Sequence, residues 1–136
     1  MRMMAVDYGD VRTGVAFCDV REMLATAYDT VEERYAPKLA EKLAALAKTE
    51  KAEQIVVGLP GNMAGSYGYR CDACRRLGDL LSELTGLPVV YQDERLTTVL
   101  AYDLLSAGNV HGKKSKKQVD AVSASVILQS YLDSHR

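Results

Sequence analysis

Apolar residues enter this chain in short blocks whose spacing changes along its length. "MRMMAV" and "TGVAFCD" are apolar runs with little interruption, which predicts two strands joined through "DYGDVR", whose Gly and Asp suit a tight turn. "LATAYDTV" predicts a third strand, so the chain opens on an antiparallel meander. From Pro37 the period lengthens. Leu39, Ala40, Leu43, Leu46 and Ala47 recur at helical spacing with Lys38, Glu41, Lys42 and Lys48 between them, the pattern of an amphipathic helix. "QIVVGLP" is β-branched and does not alternate, as expected of a central strand covered on both faces, and the glycine-rich "GNMAGSYG" after it predicts a loop.

The helical period returns from Tyr69 to Leu84, with Leu77, Leu80, Leu81 and Leu84 on one face and Thr85-Gly86 as the stop. "LPVVYQDER" supplies another strand. "TTVLAYDLLSAG" predicts a helix opened by Thr97 or Thr98 and closed by Gly108, ahead of the polar loop "NVHGKKSKKQ". "VDAVSASVILQSYLD" predicts a last helix, apolar on nearly every side and therefore largely buried. The order is three strands, then helix, strand, helix, strand, helix, helix. It predicts an α/β fold over residues 1–136 as one domain, a mixed β-sheet of three antiparallel strands then parallel strands, flanked by helices.

Composition narrows the setting. A chain of 136 residues, 48% of them hydrophobic, is long enough to bury roughly two thirds of its unfolded surface without staples. Cys18, Cys71 and Cys74 are an odd number with no signal-peptide pattern ahead of them, which points to thiols and a reducing cytoplasm. No apolar run approaches the ~20 residues that span a bilayer. Seventeen basic residues against 18 acidic ones leave a formal charge of −1, so nucleic-acid binding must come from local clustering.

Three acidic positions stand at element ends. An acid closing an apolar strand is costly to desolvate unless a turn, a salt bridge or a metal ion takes it up. Asp7 can serve as a turn residue accepting backbone hydrogen bonds, Asp93 and Glu94 can simply meet water at a strand end, and Asp120 can complement a helix N-terminus. Strand ends on one sheet edge and the first turn of a packed helix can also converge. Carboxylates held close together repel one another, and such hard oxygen ligands suit Mg²⁺ or Mn²⁺, which support phosphodiester hydrolysis. "CDAC" has no second CxxC, and His111 and His135 lack ligand spacing, so zinc is disfavoured there and Cys18 reads as strand core.

The strings "VDYGDVRTGVAFCD", "IVVGLPGNMAGS", "VVYQDERLTTVLA" and "KKSKKQVDAVSASVILQSYLD" occur in one order and span nearly the whole chain. Together they resemble the YqgF family, pre-16S rRNA nucleases related to Holliday-junction resolvases, with a ribonuclease H-like fold. The resemblance implies that Asp7, Glu94 and Asp120 form a divalent-metal nuclease site. It also implies endonucleolytic trimming at the 5′ end of the small-subunit ribosomal RNA precursor. Asp10, Val11, Gly61 and Ala64 depart from the family pattern, whereas the three acids do not. Asp10 is read as a turn residue or an extra outer ligand.

Lys113, Lys114, Lys116 and Lys117 crowd just ahead of Asp120, and Arg12 and Arg95 flank the acids, so a phosphate backbone can be drawn to the site. Asn62 and Ser66 offer hydrogen bonds, Tyr67 or Tyr69 offers a stacking face, and Arg70, Arg75 and Arg76 extend the basic track. Solvated lysines and simple salt bridges are the plainer alternatives. The expected partner is a structured RNA, a precursor ribosomal RNA, or a branched DNA, with the ribosome or an assembly factor beside it. The chain is expected as monomer or homodimer. The rival functions are a junction resolvase with the same chemistry, a non-catalytic nucleic-acid-binding module, and an ATPase of the actin and sugar-kinase type. The last needs two such domains.

Overall fold

Apolar blocks at the predicted places become the centre of one sheet. The computed structural model describes residues 1–9, 11–59, 68–93 and 113–134, with side chains for all of these except 68–71, 93 and 113–120. Along the chain come β1 (Met3–Asp7), β2 (Arg12–Cys18), β3 (Ala25–Glu32), α1 (Ala36–Thr49), β4 (Gln54–Leu59), α2 (Gly68–Thr85), β5 (Val89–Asp93) and α3 (Lys113–Ser134). The strands lie in the order β3-β2-β1-β4-β5. β1 pairs antiparallel with β2, and β2 with β3, so the opening meander stands as expected. β4 runs parallel to β1, and β5 parallel to β4.

The runs without alternation occupy the middle of the sheet because both of its faces are covered. Met4, Val6, Val15, Phe17, Ile55 and Val57 meet Leu39, Leu43, Cys74, Leu77 and Leu81 of α1 and α2 in one core. Met3, Ala5, Ala16, Cys18 and Val56 meet Ala124, Ile127, Leu128 and Leu132 of α3 in the other. β3, at the edge, keeps most of its residues exposed or half-exposed. Pro37 suits the first turn of α1, where its missing N–H is not needed. Gly86 ends α2 as expected, at φ +71°, its N–H donating to the Ser82 carbonyl at 2.8 Å.

Three expectations are corrected. Residues 113–118 of the expected polar loop already belong to α3. Lysine and glutamine are good helix formers, but with no apolar residue among them they show no period. α3 is buried along one strip rather than all round, because it lies on a single face of the sheet: Ala121, Ala124 and Leu128 are buried, whereas Val122, Val126 and Ser130 are half-buried. Leu84 is 51% exposed on the last turn of α2, at the rim of a cleft shared with Ala44, Lys48 and Leu87. The helix expected from Thr97 to Gly108 lies outside the described residues.

Candidate active site

The site begins where the first apolar run stops. β1 delivers its residues alternately to the two cores, Met3 and Ala5 toward α3, Met4 and Val6 toward α1 and α2. Asp7 continues the first set at the C-terminal end of the strand, half-buried and opposite Gly14 of β2. Because β1, β4 and β5 are parallel, their C-terminal ends share an edge. Val6 lies beside Val57, and Leu59 beside Asp93, so the ends of β1 and β5 stand about 10 Å apart with β4 between them.

α3 brings the third acid to the same edge. Its later turns are fixed at the opposite edge, where β3 and β4 begin. Tyr131 Oη accepts from Gln54 Nε2 at 3.0 Å, and Gln129 Oε1 accepts the Ala25 N–H at 2.9 Å. Ala124 shares the second core with Ala5 further along β1, so the helix starts toward the end that carries Asp7 and runs away from it, and Asp120 lies one turn before Ala124. Of the three expected ligands, Asp7 is described in full and Asp120 by its backbone, while Glu94 lies outside the described residues. No group of three or more His, Cys, Asp or Glu side chains gathers among the described residues.

Gly9 and the residues that open β2 are each held by specific contacts. A Cβ on Gly9 would strike the carbonyl oxygen of Arg12, so only glycine fits there. The Gly9 N–H donates to Thr13 Oγ1 at 3.4 Å, and the Glu33 N–H donates to the Val11 carbonyl at 2.9 Å. Thr13 is fully buried. Arg12 opens β2, half-buried, in register with Glu32 of β3. Thr13 carries no signal in the sequence, because a threonine near a strand start is ordinary strand composition.

On the far side, Tyr91 of β5 wedges against α2 at Gly78, where a Cβ would strike its ring. Its hydroxyl donates to the Arg75 carbonyl at 3.4 Å, and the Arg75 guanidinium covers the ring at 5.5 Å. Burial pushes the Tyr91 hydroxyl up from its usual pKa, with Asp79 adding to the effect, so the ring stays a neutral wedge. Arg75 and Arg76 are exposed on α2. Lys113, Lys114, Lys116 and Lys117 sit in the opening turns of α3, which place them on the helix that carries Asp120. Asn62, Ser66, Tyr67, Arg95 and Asp10 lie outside the described residues, as do the side chains of Tyr69 and Arg70. Cys74 is buried in the first core, and Cys18 Sγ accepts the Met3 N–H at 3.2 Å, as befits strand core.

The family model described as RuvX, Holliday junction resolvase, matches residues 1–134. This chain belongs to that family. RuvX relatives described as candidate pre-16S rRNA nucleases include one from Heliobacterium modesticaldum, 42% identical over 98% of this chain and 89% of the relative. One from Protochlamydia amoebophila is also 42% identical, over 98% and 93%. Among solved structures, Thermus thermophilus RuvC in complex with a Holliday junction substrate superposes with a TM-score of 0.65, at 13% identity over 99% of this chain and 95% of that one. The fowlpox virus resolvase bound to Holliday junction DNA gives 0.59, at 11% identity over 99% of each chain. The RuvX chain therefore has the ribonuclease H-like fold of the resolvases, and the resemblance read from its four strings stands.

Proposed function

We propose that this RuvX chain is an endonuclease of the cytoplasm that trims precursor 16S ribosomal RNA, using Mg²⁺ or Mn²⁺ held by Asp7, Glu94 and Asp120. The observation that carries the reading is the convergence at one sheet edge. β1 ends there on Asp7, β5 ends there on Asp93, and α3 starts toward it with Asp120 in its early turns. The donor set suits the metal: carboxylates are hard oxygen ligands, and a half-buried one at a strand end is relieved by a cation. Such an ion, when bound, lowers the pKa of water and offsets charge on the leaving oxygen.

The protein's own residues bind and orient. Asp7 is aimed by the sheet, with the Gly9 turn closing directly behind it. Arg12 and Arg95 grip phosphate oxygens in pairs, and Lys113, Lys114, Lys116 and Lys117 draw the backbone in. Asn62, Ser66 and Arg70 add further contacts to the bound strand. The family description favours a second substrate, a four-way DNA junction, served by the same chemistry.

Both are tested together. Wild-type and Asp7→Asn protein are incubated with labelled precursor RNA and with a four-way DNA junction, each with Mn²⁺ and with chelator. Metal-dependent cutting is expected from the wild type, reduced at least about 100-fold in Asp7→Asn, with substrate preference separating maturation from resolution. Mn²⁺ should raise the wild-type melting temperature more than that of the variant. Binding of either nucleic acid without cutting would make the chain a non-catalytic module.

A further inference from the structure

We infer that Thr13, which contacts neither metal nor substrate in the proposed reaction, is a positioning residue for Asp7. The inference rests on the nuclease reading above. Along β2, Val15 and Phe17 face α1 and α2, and Thr13 continues that set, so its side chain lies on the opposite side of the sheet from Asp7. A hydroxyl buried there needs a hydrogen-bond role, and it has one: Oγ1 accepts the N–H of Gly9, two residues beyond Asp7. A side chain at Gly9 would strike the Arg12 carbonyl, so the turn is built around glycine at this point. The Val11 carbonyl is held by the N–H of Glu33, the residue after β3. The backbone between Asp7 and β2 is therefore held by Thr13 on one side and by the end of β3 on the other. Those two contacts hold the backbone from which the Asp7 carboxylate and the Arg12 guanidinium project. Small displacements of aligned groups are costly to a reaction that depends on their placement.

The test uses Thr13→Val, which keeps the shape and loses the acceptor, and Thr13→Ser, which keeps the acceptor and loses a methyl group. Cleavage of precursor RNA and the Mn²⁺-induced rise in melting temperature are measured for each. Thr13→Val should cut at least about tenfold more slowly in kcat with KM within twofold, and Mn²⁺ should raise its melting temperature less; Thr13→Ser should match the wild type in both. If Thr13→Val does not fold, Thr13→Ala is read against Thr13→Ser in its place. Wild-type behaviour of the variants lacking the hydroxyl, or equal loss in the serine variant, overturns the inference while leaving the nuclease reading intact. A wild type that neither cuts nor gains stability from Mn²⁺ overturns both.

Discussion

Lys51 occupies a backbone position that glycine normally takes. At φ +58° it follows the end of α1, where the Ala52 N–H donates to the Ala47 carbonyl at 2.8 Å and the Lys51 N–H to the Lys48 carbonyl at 3.2 Å. These are the paired bonds of a Schellman closure, and buried Ala47 and Ala52 make its apolar contact. Lys51→Gly should raise stability by about 0.5–1 kcal/mol, because a left-handed lysine carries a Cβ penalty that glycine lacks. A lower urea midpoint in that variant would mean that the lysine side chain holds the turn. This stop was invisible in "KTEKAE", which contains no glycine, whereas Thr85-Gly86 announced the end of α2 openly. Residues were legible where conformation alone fixes them, as at Gly9 in the turn and Gly86 at the end of α2. Thr13 was not, since its role depends on a contact across a turn.

The elements hold their places through a few polar contacts between apolar faces. Gln54, 9% exposed, donates to Tyr131 Oη and so ties the start of β4 to α3. Tyr131→Phe should destabilise by about 1–2 kcal/mol, since it strips a buried donor of its oxygen acceptor and leaves it only the weaker Met3 Sδ at 3.8 Å. Adding Gln54→Met should recover most of that loss, because two apolar groups of similar shape then meet. Urea denaturation of the two single variants and the double variant gives the coupling, and additive losses would refute it. Most strands and helices were readable from period alone, because the core lies where the blocks lie. The start of α3 was not, for "KKSKK" has helix propensity without an apolar stripe. Nor was the exposure of Leu84, which depends on where α1 ends beneath it.

At the scale of the whole molecule, the joints on either side of β3 each carry a carboxylate with a lowered pKa. Asp19 accepts from the N–H groups of Met23 and Leu24 at 2.8 and 3.3 Å, and the first of these chiefly holds its pKa below the usual range. Glu33 is lowered chiefly by Lys42 Nζ at 3.0 Å. A folded pKa below the unfolded value gives stability that is present above about pH 4 and lost as pH falls through the lowered value. Melting curves from pH 7 to pH 2 should therefore fall less steeply below pH 4 for Asp19→Asn with Glu33→Gln than for the wild type. Coincident profiles would assign the acid sensitivity elsewhere. At this scale the sequence supplied element types and a mixed sheet, but which strand ends share an edge needed the strand order, which no local pattern encodes. That order has a consequence for the growing chain. β1 takes its first neighbour, β2, across a short turn, yet its other edge belongs to β4, which appears only after β3 and α1 have been made. Until then the nascent meander exposes an apolar, unpaired border, and this is the stage at which the polypeptide most needs shielding from other chains.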